Sequence, residues 1–92
     1  MPDAVRNNTA LHRFELDVEG HMAFAYYRQS PGVIVFTHTE VPPALSGKGV
    51  GSKLARGALE IVRGEGVKVL AECPFIRAFI DKHPEFHDLL RS

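Results

Sequence analysis

Three glycines alternate with other residues in segment 45–52, which reads LSGKGVGS and lies between an apolar run and an amphipathic one. The first backbone N–H groups of a helix lack partners within the helix and carry partial positive charge, which an anion satisfies. Glycines permit positive φ and remove the side chains that would keep a phosphate away from those amides. Segment 45–52 therefore predicts a phosphate-binding loop to which Lys48 adds a cation, with a plain tight connection as the alternative.

A second group of residues suited to chemistry consists of His38, Glu40 and Cys73. His38 and Glu40 are two positions apart in a strand-like run, so their side chains share one face. Cys73 comes where a strand gives way to a helix, and the helix dipole would stabilise its thiolate, although the neighbouring Glu72 opposes this. The alternative interpretations are a packed histidine, a solvated glutamate at a strand end and a cysteine buried in the core.

Period-two alternation predicts the first strands that position these residues. Residues 14–18 alternate apolar with acidic side chains, and residues 22–28 form a second strand, joined to the first by a turn at Gly20-His21. Residues 33–41 begin as a β-branched and aromatic run, typical of a central strand covered on both faces. Pro42-Pro43 ends this strand and leaves the backbone of its last residue free to bond a ligand. Residues 1–10 are polar and are predicted to be a loose lead-in.

The segment after the glycine loop predicts a crossover helix and a parallel strand. Apolar residues at helical spacing indicate an amphipathic helix that begins at Val50 and is ended by Gly64 and Gly66. Residues 67–73 predict a further strand. It should be parallel to strand 33–41, because a helix separates the two.

The C-terminal part predicts a second, shorter helix. Pro74 suits its first position, where the missing N–H costs nothing, and His83-Pro84 ends it. In the tail, Phe86, Leu89 and Leu90 are predicted to fold back onto the core. The whole order predicts an α/β fold with a mixed sheet: an antiparallel three-strand meander followed by a βαβ unit and a C-terminal helix.

Length and composition limit the classes of function. The 92 residues predict a single domain, residues 1–92 with a core at about 11–90. The 11 basic residues balance 11 acidic ones, so no global charge favours nucleic acid or an anionic membrane. The single cysteine excludes an internal disulfide, and no apolar leader or membrane-length run is present, so a cytoplasmic location is expected. The following histidines are too scattered to predict a metal site: His12, His21, His83 and His87.

Two known phosphate-binding patterns fit the glycine loop less well. A P-loop requires lysine and then Ser or Thr directly after the last glycine, whereas here Ser52 precedes Lys53. A dinucleotide-binding turn would follow a strand, open a helix and use an acid such as Glu72. Its GxGxxG spacing, however, is one residue longer than the spacing found in segment 47–51. A dinucleotide-binding domain is therefore kept as the lesser alternative.

The loop resembles the [Q/R]-x-x-G-x-[G/A] motif of the GNAT superfamily, the Gcn-related N-acetyltransferases, and the order of strands and helices is similar as well. Segments 38–42 (HTEVP), 73–75 (CPF) and 83–86 (HPEF), together with the glycine loop, resemble the small stand-alone GNAT-like family, whose chains hold only a minimal domain. The resemblance extends from about Phe14 to Leu90. It implies a minimal GNAT fold and an N-acetyltransferase activity with acetyl-CoA, a CoA thioester, as the acetyl donor.

The resemblance also implies roles for individual residues. The pyrophosphate of CoA would bind the loop amides and the pantetheine arm would lie beside Val41. The cofactor-binding residues predicted in this way are Val41, Ser46, Gly47, Lys48, Gly49, Val50, Gly51 and Ser52. Acetyl transfer needs a base for the amine proton, which His38 or Glu40 would supply directly or through water. Cys73 would lie beside the gap that admits the thioester, as a general acid or as a transient acetyl carrier.

This sequence departs from the superfamily pattern in three ways. Ser46 stands where the motif has Gln or Arg, the second helix lacks the tyrosine that many members use as a general acid, and the early helices of full-length members have no room. Backbone amides can still bind phosphate despite these differences, whereas the second helix has no tyrosine to act as the acid. A CoA-binding module without significant catalysis is therefore the competing prediction. The acceptor is an unidentified amine, and the small domain suits an exposed protein amine or a small polyamine.

Overall fold

A computed structural model describes residues 4–91, so predictions for residues 1–3 and 92 lie outside the described part of the chain. The strands are β1 (Arg6–Asn8), β2 (Arg13–Val18), β3 (His21–Ser30), β4 (Val33–Glu40) and β5 (Lys68–Ala71). The α-helices are α1 (Val50–Glu65) and α2 (Pro74–Lys82), and two 3-10 helices cover Pro43–Leu45 and Pro84–Leu89. None of the helices in this part of the chain has the length and apolar character needed to cross a membrane.

The five strands form one sheet in the order β1-β2-β3-β4-β5. Neighbouring strands are antiparallel except β4 and β5, which are parallel and are connected through α1. The predicted mixed sheet with a βαβ unit and a C-terminal helix is therefore confirmed. The antiparallel part contains four strands rather than the predicted three.

The prediction that residues 1–10 form a loose lead-in is wrong at β1. This strand pairs with β2, with Arg6 opposite Glu15. The side chains of Arg6 and Asn8 both donate hydrogen bonds to the buried carboxylate of Glu15. Polar contacts rather than apolar alternation hold this strand, so hydrophobic periodicity does not detect it.

Both α-helices pack on one side of the sheet, which we call the helix face. Buried residues of α1 and α2 form one cluster with alternate residues of the strands. The strand residues of this cluster are Phe14, Leu16, Ala23, Ala25, Tyr27, Ile34, Phe36 and Val69. The residues that alternate with them in β2 and β3 point to the other side, which we call the open face. Its members include Arg13, Glu15, Phe24 and Tyr26.

A β-bulge in β4 decides which face its last residues occupy. Tyr27 pairs with Phe36 and Tyr26 pairs with His38, so Thr37 has no partner in β3. The hydroxyl of Thr37 donates a hydrogen bond to the carbonyl of Tyr26 at 3.3 Å. The extra residue reverses the alternation of side chains, and as a result Phe36 points to the helix face whereas His38 lies on the open face.

The pairing between β4 and β5 stops before β4 itself ends. The last paired residues are Phe36 and Ala71, and the amides of Glu72 and Cys73 both donate to the Phe36 carbonyl at 3.0 Å. The remainder of β4, residues 37–40, has no strand partner on the β5 side within the described chain. This leaves a gap in the β4–β5 hydrogen-bond ladder beside residues 37–40.

Glycines define both ends of α1. Gly49 precedes the helix with φ +71° and Gly66 follows it with φ +74°, in the left-handed region that glycine adopts without strain. The predicted start at Val50 is confirmed. Gly64, predicted to help end the helix, lies inside its last turn, because a single left-handed glycine at position 66 is sufficient.

The C-terminal tail packs as predicted except at Leu90. Phe86 and Leu89 are buried, whereas Leu90 is 39% exposed. Leu90 instead forms a parallel bridge with Val69, and the amide of Arg91 donates to the Val69 carbonyl at 3.0 Å. The tail thus covers part of the outer edge of β5, which would otherwise present unpaired backbone groups.

Candidate active site

The glycine loop joins the end of β4 to α1 through the 3-10 turn Pro43–Leu45. The amides of Ser46 and Lys48 donate to carbonyls of that turn at 3.1 and 3.3 Å, and both Gly47 and Gly49 have positive φ. No side chain of the described residues caps the start of α1. The first amides of the helix therefore have no partner within it and are available to an anion. They belong to Val50, Gly51 and Ser52.

Lys48, predicted as a cation for the phosphate, has a partner elsewhere. Its Nζ lies 2.8 Å from Oε1 of Glu19 in the turn between β2 and β3. Both side chains are about half exposed, and an ion pair in such a position contributes at most about 1 kcal/mol. Lys48 can therefore exchange Glu19 for a phosphate at little cost. Arg56 forms an ion pair with the C-terminal tail, where its guanidinium lies 3.2 Å from the carboxylate of Glu85.

The ring of Phe75, in the first turn of α2, packs directly on the first turn of α1. A methyl group added to Gly51 would come within 2.8 Å of Phe75 Cζ. A side chain at position 51 would therefore push the ring of Phe75 away from the first turn of α1. Phe75 and Val41 are among the few exposed large apolar residues, and they lie on the two chain segments that border the gap beside β4.

His38 and Glu40 form a side-chain pair, as their shared face predicted. His38 Nε2 lies 3.2 Å from Glu40 Oε2 on the open face. The two side chains are 62% and 55% exposed. The His38 ring also stacks with the ring of Tyr26 at a centroid distance of 6.1 Å. The pair is held in place but is accessible to a molecule that arrives at the open face.

Cys73 lies on the helix face, on the side of β4 opposite the His38–Glu40 pair. It is a free thiol, 3% exposed, at the N-cap position of α2. Its Sγ lies 3.2 Å from Oγ1 of Thr39. Because Thr39 lies between His38 and Glu40 in the sequence of β4, the thiol and the pair are separated by the thickness of one strand. The predicted catalytic residues thus meet at one place in the sheet but on two faces.

Thr39 and Phe24 are two residues of the site that were not predicted from the sequence. Thr39 contacts Cys73, and Phe24 pairs with Glu40 across β3 and β4. A signal for Phe24 exists, since the alternation of residues 22–28 places it on the open face. No pattern in the sequence marks the role of Thr39, because its orientation depends on the bulge two residues earlier in the strand.

The open face also carries a buried carboxylate. Glu15 is 4% exposed and accepts hydrogen bonds from Arg6, Asn8 and Arg13 at 3.1, 3.0 and 2.7 Å. Burial alone would raise the pKa of Glu15, but these hydrogen bonds outweigh it and hold the pKa below its ordinary value. The guanidinium of Arg13 also lies 4.0 Å from the ring centroid of Phe24. This cluster attaches β1 and supports the ring next to Glu40.

The end of β4 therefore brings three kinds of chemistry to one place. The uncapped start of α1 can bind an anion, the His38–Glu40 pair can accept a proton on the open face, and the Cys73 thiol can donate one on the helix face. Within residues 4–91, no group of three or more His, Cys, Asp or Glu side chains is arranged to hold a metal ion.

Comparison with known proteins identifies a family. Residues 13–89 match the sequence profile of the family described as GCN5-related N-acetyl-transferase. The matched segment runs from the first residue of β2 to the last residue of the tail helix Pro84–Leu89. It therefore includes every element that forms the gap and the glycine loop.

Individual relatives are similar over part of the chain. Protein NATD1 of Bos taurus is 35% identical over 52 residues, which are 56% of this chain and 46% of the relative. Protein NATD1 of Xenopus tropicalis is 36% identical over 47 residues, 51% of this chain and 43% of the relative. The aligned part thus spans less than half the length of these relatives. A GCN5-like protein of Staphylococcus aureus, solved by NMR, has a TM-score of 0.74 at 24% identity over 99% of this chain and 90% of that one, which shows a shared fold.

Proposed function

Because the chain belongs to the GCN5-related N-acetyltransferase family, we propose that it binds acetyl-CoA at its glycine loop and transfers the acetyl group to an amine. The observation that carries this proposal is the uncapped start of α1, which follows two glycines of positive φ and adjoins the unpaired end of β4. A pyrophosphate needs the unpartnered amides at the start of α1. An extended pantetheine arm needs the unpaired backbone at the end of β4.

The residues that would hold the cofactor are those of the loop and the end of β4. The unpartnered amides of Val50, Gly51 and Ser52 and the dipole of α1 attract the pyrophosphate. The amides of Ser46 and Lys48 already donate to the preceding turn, so Lys48 adds only the charge of its side chain. The backbone of β4 beside Val41 offers the pantetheine amides the hydrogen bonds that β5 does not take. Acetyl-CoA, once bound, supplies the acetyl group as a thioester.

The arrangement of side chains separates the two proton transfers that acetyl transfer requires. The His38–Glu40 pair takes a proton from the acceptor ammonium on the open face and passes it to solvent. The amine nitrogen then bonds to the acetyl carbon, the C–S bond breaks, and the amide nitrogen loses its second proton to the same pair. Cys73, on the helix face, donates its proton to the departing thiolate and regains one from solvent. In this proposal Cys73 is the acid, a role for which the second helix has no tyrosine.

Cys73 has a competing role as a transient acetyl carrier. In that role its sulfur would attack the thioester carbon, and the amine would then take the acetyl group from the enzyme. The contact with Thr39 and the 3% exposure of Cys73 favour the general-acid role, because an acetylated cysteine needs space that the packed thiol lacks.

A CoA-binding module without turnover is the second candidate function. It is favoured by the exposure of the His38–Glu40 pair, from which no described residue excludes water. The acceptor under the main proposal is an exposed amine, on a protein or on a small polyamine. We also expect a cytoplasmic location, which cell fractionation tests.

Calorimetric titration with acetyl-CoA and, separately, with NAD tests the cofactor. We expect the protein to bind acetyl-CoA and not NAD. Binding of NAD alone would refute this function and indicate a dinucleotide-binding domain instead. The release of CoA thiol in the presence of a panel of amines then tests transfer. Release with any amine supports the transferase, and tight binding without release across the panel supports the module.

A further inference from the structure

The open face has a cavity of about 440 Å³ at the carboxyl end of β4. It is lined by Met22 and Phe24 of β3 and by residues 39–43. Most of this lining is apolar or aromatic. Glu40 is the only ionisable side chain among the lining residues of the described chain, and it is 55% exposed with one oxygen 3.2 Å from His38.

The lining residues of this cavity suit a ligand that carries a cationic group at the end of an apolar chain. A carboxylate attracts an ammonium group, and an aromatic ring adds a cation–π attraction. Phe24 already attracts a cation, since the guanidinium of Arg13 lies 4.0 Å from its ring centroid, although Arg13 itself does not line the cavity. Apart from Thr39 and Glu40, the lining side chains offer no hydrogen bonds to the hydroxyl groups of an amino sugar.

The position of the cavity connects it with the gap in the sheet. Thr39 contributes to the cavity lining and also belongs to the part of β4 that has no partner on the β5 side. Its hydroxyl contacts Cys73 on the helix face. A group held at Glu40 is therefore next to the unpaired end of β4 and one residue along the strand from the Thr39–Cys73 contact.

We propose that this cavity is the acceptor site and that the acceptor is a primary amine at the end of an unbranched methylene chain. The ammonium group binds Glu40 and lies against the ring of its cross-strand partner Phe24, and the methylene chain packs on Met22. This inference rests on the acetyl transfer proposed above. It narrows the proposed amine to one at the end of an unbranched chain and adds two binding residues, Phe24 and Met22. Lysine side chains and polyamines share this chemistry, so the test includes both.

Amine binding is measured by NMR on ¹⁵N-labelled protein without CoA, so that the result does not depend on the cofactor. The probes are pentylammonium, Nα-acetyl-lysine methylamide and spermidine, with 1-pentanol as the uncharged control. We expect the amines to shift the amide signals of residues 22–24 and 39–41. Affinity should fall about twofold to fivefold in Glu40→Gln, because an exposed charge is removed. Phe24→Leu should cost a similar factor through the lost cation–π contact.

Glu72→Gln is the matched control for Glu40→Gln. Glu72 is also 55% exposed, pairs with Arg28 at 3.3 Å and lies outside the cavity lining. Its substitution should leave amine affinity unchanged. An equal loss in Glu72→Gln, equal binding of 1-pentanol, or amide shifts away from the cavity would overturn the inference. Binding of only the lysine derivative or only spermidine would support it and identify the source.

A parallel titration with acetyl-CoA separates this inference from the proposed function. Amine binding at the cavity without acetyl-CoA binding would refute the proposed function and leave the amine site standing. Acetyl-CoA binding at the loop without amine binding at the cavity would refute the acceptor site alone.

Discussion

Replacing Gly49 by alanine should weaken acetyl-CoA binding, whereas the same replacement at Gly66 should not. The two glycines occupy opposite ends of α1 with nearly the same backbone, φ +71° and φ +74°. A methyl group added at either position meets no atom within 4 Å. Gly66→Ala is therefore a matched control for backbone strain. It lies 16 helical residues away from the loop, or about 24 Å at the rise of an α-helix.

The magnitude follows from the left-handed conformation, which costs a non-glycine residue about 1–2 kcal/mol. Alanine has fewer backbone conformations than glycine in the unfolded chain, which offsets about 0.4–1 kcal/mol of this cost in both variants. Each variant should therefore lose about 1 kcal/mol of unfolding free energy. The strained loop of the Gly49→Ala variant is expected to relax to another conformation in the free protein, and it must return to the left-handed one when the amides bind pyrophosphate. Affinity then falls by up to the full penalty, which is about fivefold to thirtyfold in Kd.

Calorimetric titration with acetyl-CoA measures the difference, and urea denaturation reports the stability of each variant. We expect Gly66→Ala to bind as the wild type does despite its loss of stability. Wild-type affinity in Gly49→Ala, or an equal loss of affinity in Gly66→Ala, would refute the reasoning that the loop conformation presents the binding amides.

Three other substitutions test the bulge in β4, the thiol of Cys73 and the buried carboxylate of Glu15. Thr37→Val removes the hydrogen bond that fixes the bulge and should cost about 1 kcal/mol in urea denaturation, and an unchanged stability would contradict this. Cys73→Ala should lower kcat and leave the Kd for acetyl-CoA unchanged, and an acetyl adduct on Cys73 in the intact mass of the wild type would instead favour the carrier role. Glu15 has a native pKa below its ordinary value of 4.5, so the unfolded chain binds the proton first and stability is lost as the pH falls below that value. In urea denaturation, the Glu15→Gln variant should lose less unfolding free energy than the wild type between about pH 5 and about pH 3. An equal loss in both proteins would show that other groups cause the pH dependence.

Periodicity predicted most of the fold because most elements here bury one apolar side. The long helix has apolar residues at helical spacing, and Pro74 and Gly66 provide separate signals for a helix start and a helix end. The first strand gave no such signal. It is held by hydrogen bonds to Glu15, nine positions from Arg6, and a contact of that kind cannot be read from local alternation.

The site was predictable residue by residue but not in its three-dimensional arrangement. Simple alternation along residues 33–41 puts His38 and Glu40 on the same side as Phe36, in the core. The bulge at Thr37 reverses this and places them on the open face, opposite Cys73. A bulge arises from the register between two strands, so the sequence of one strand does not reveal it.

Binding of acetyl-CoA at the start of α1 is best tested by an NMR titration of ¹⁵N-labelled protein with acetyl-CoA, in which every backbone amide is followed. We expect the largest shifts at Val41 and in segment 46–52, and little change in the outer strands β1 and β2. Largest shifts elsewhere in the chain, or no shift at millimolar acetyl-CoA, would contradict the claim that the start of α1 binds the cofactor.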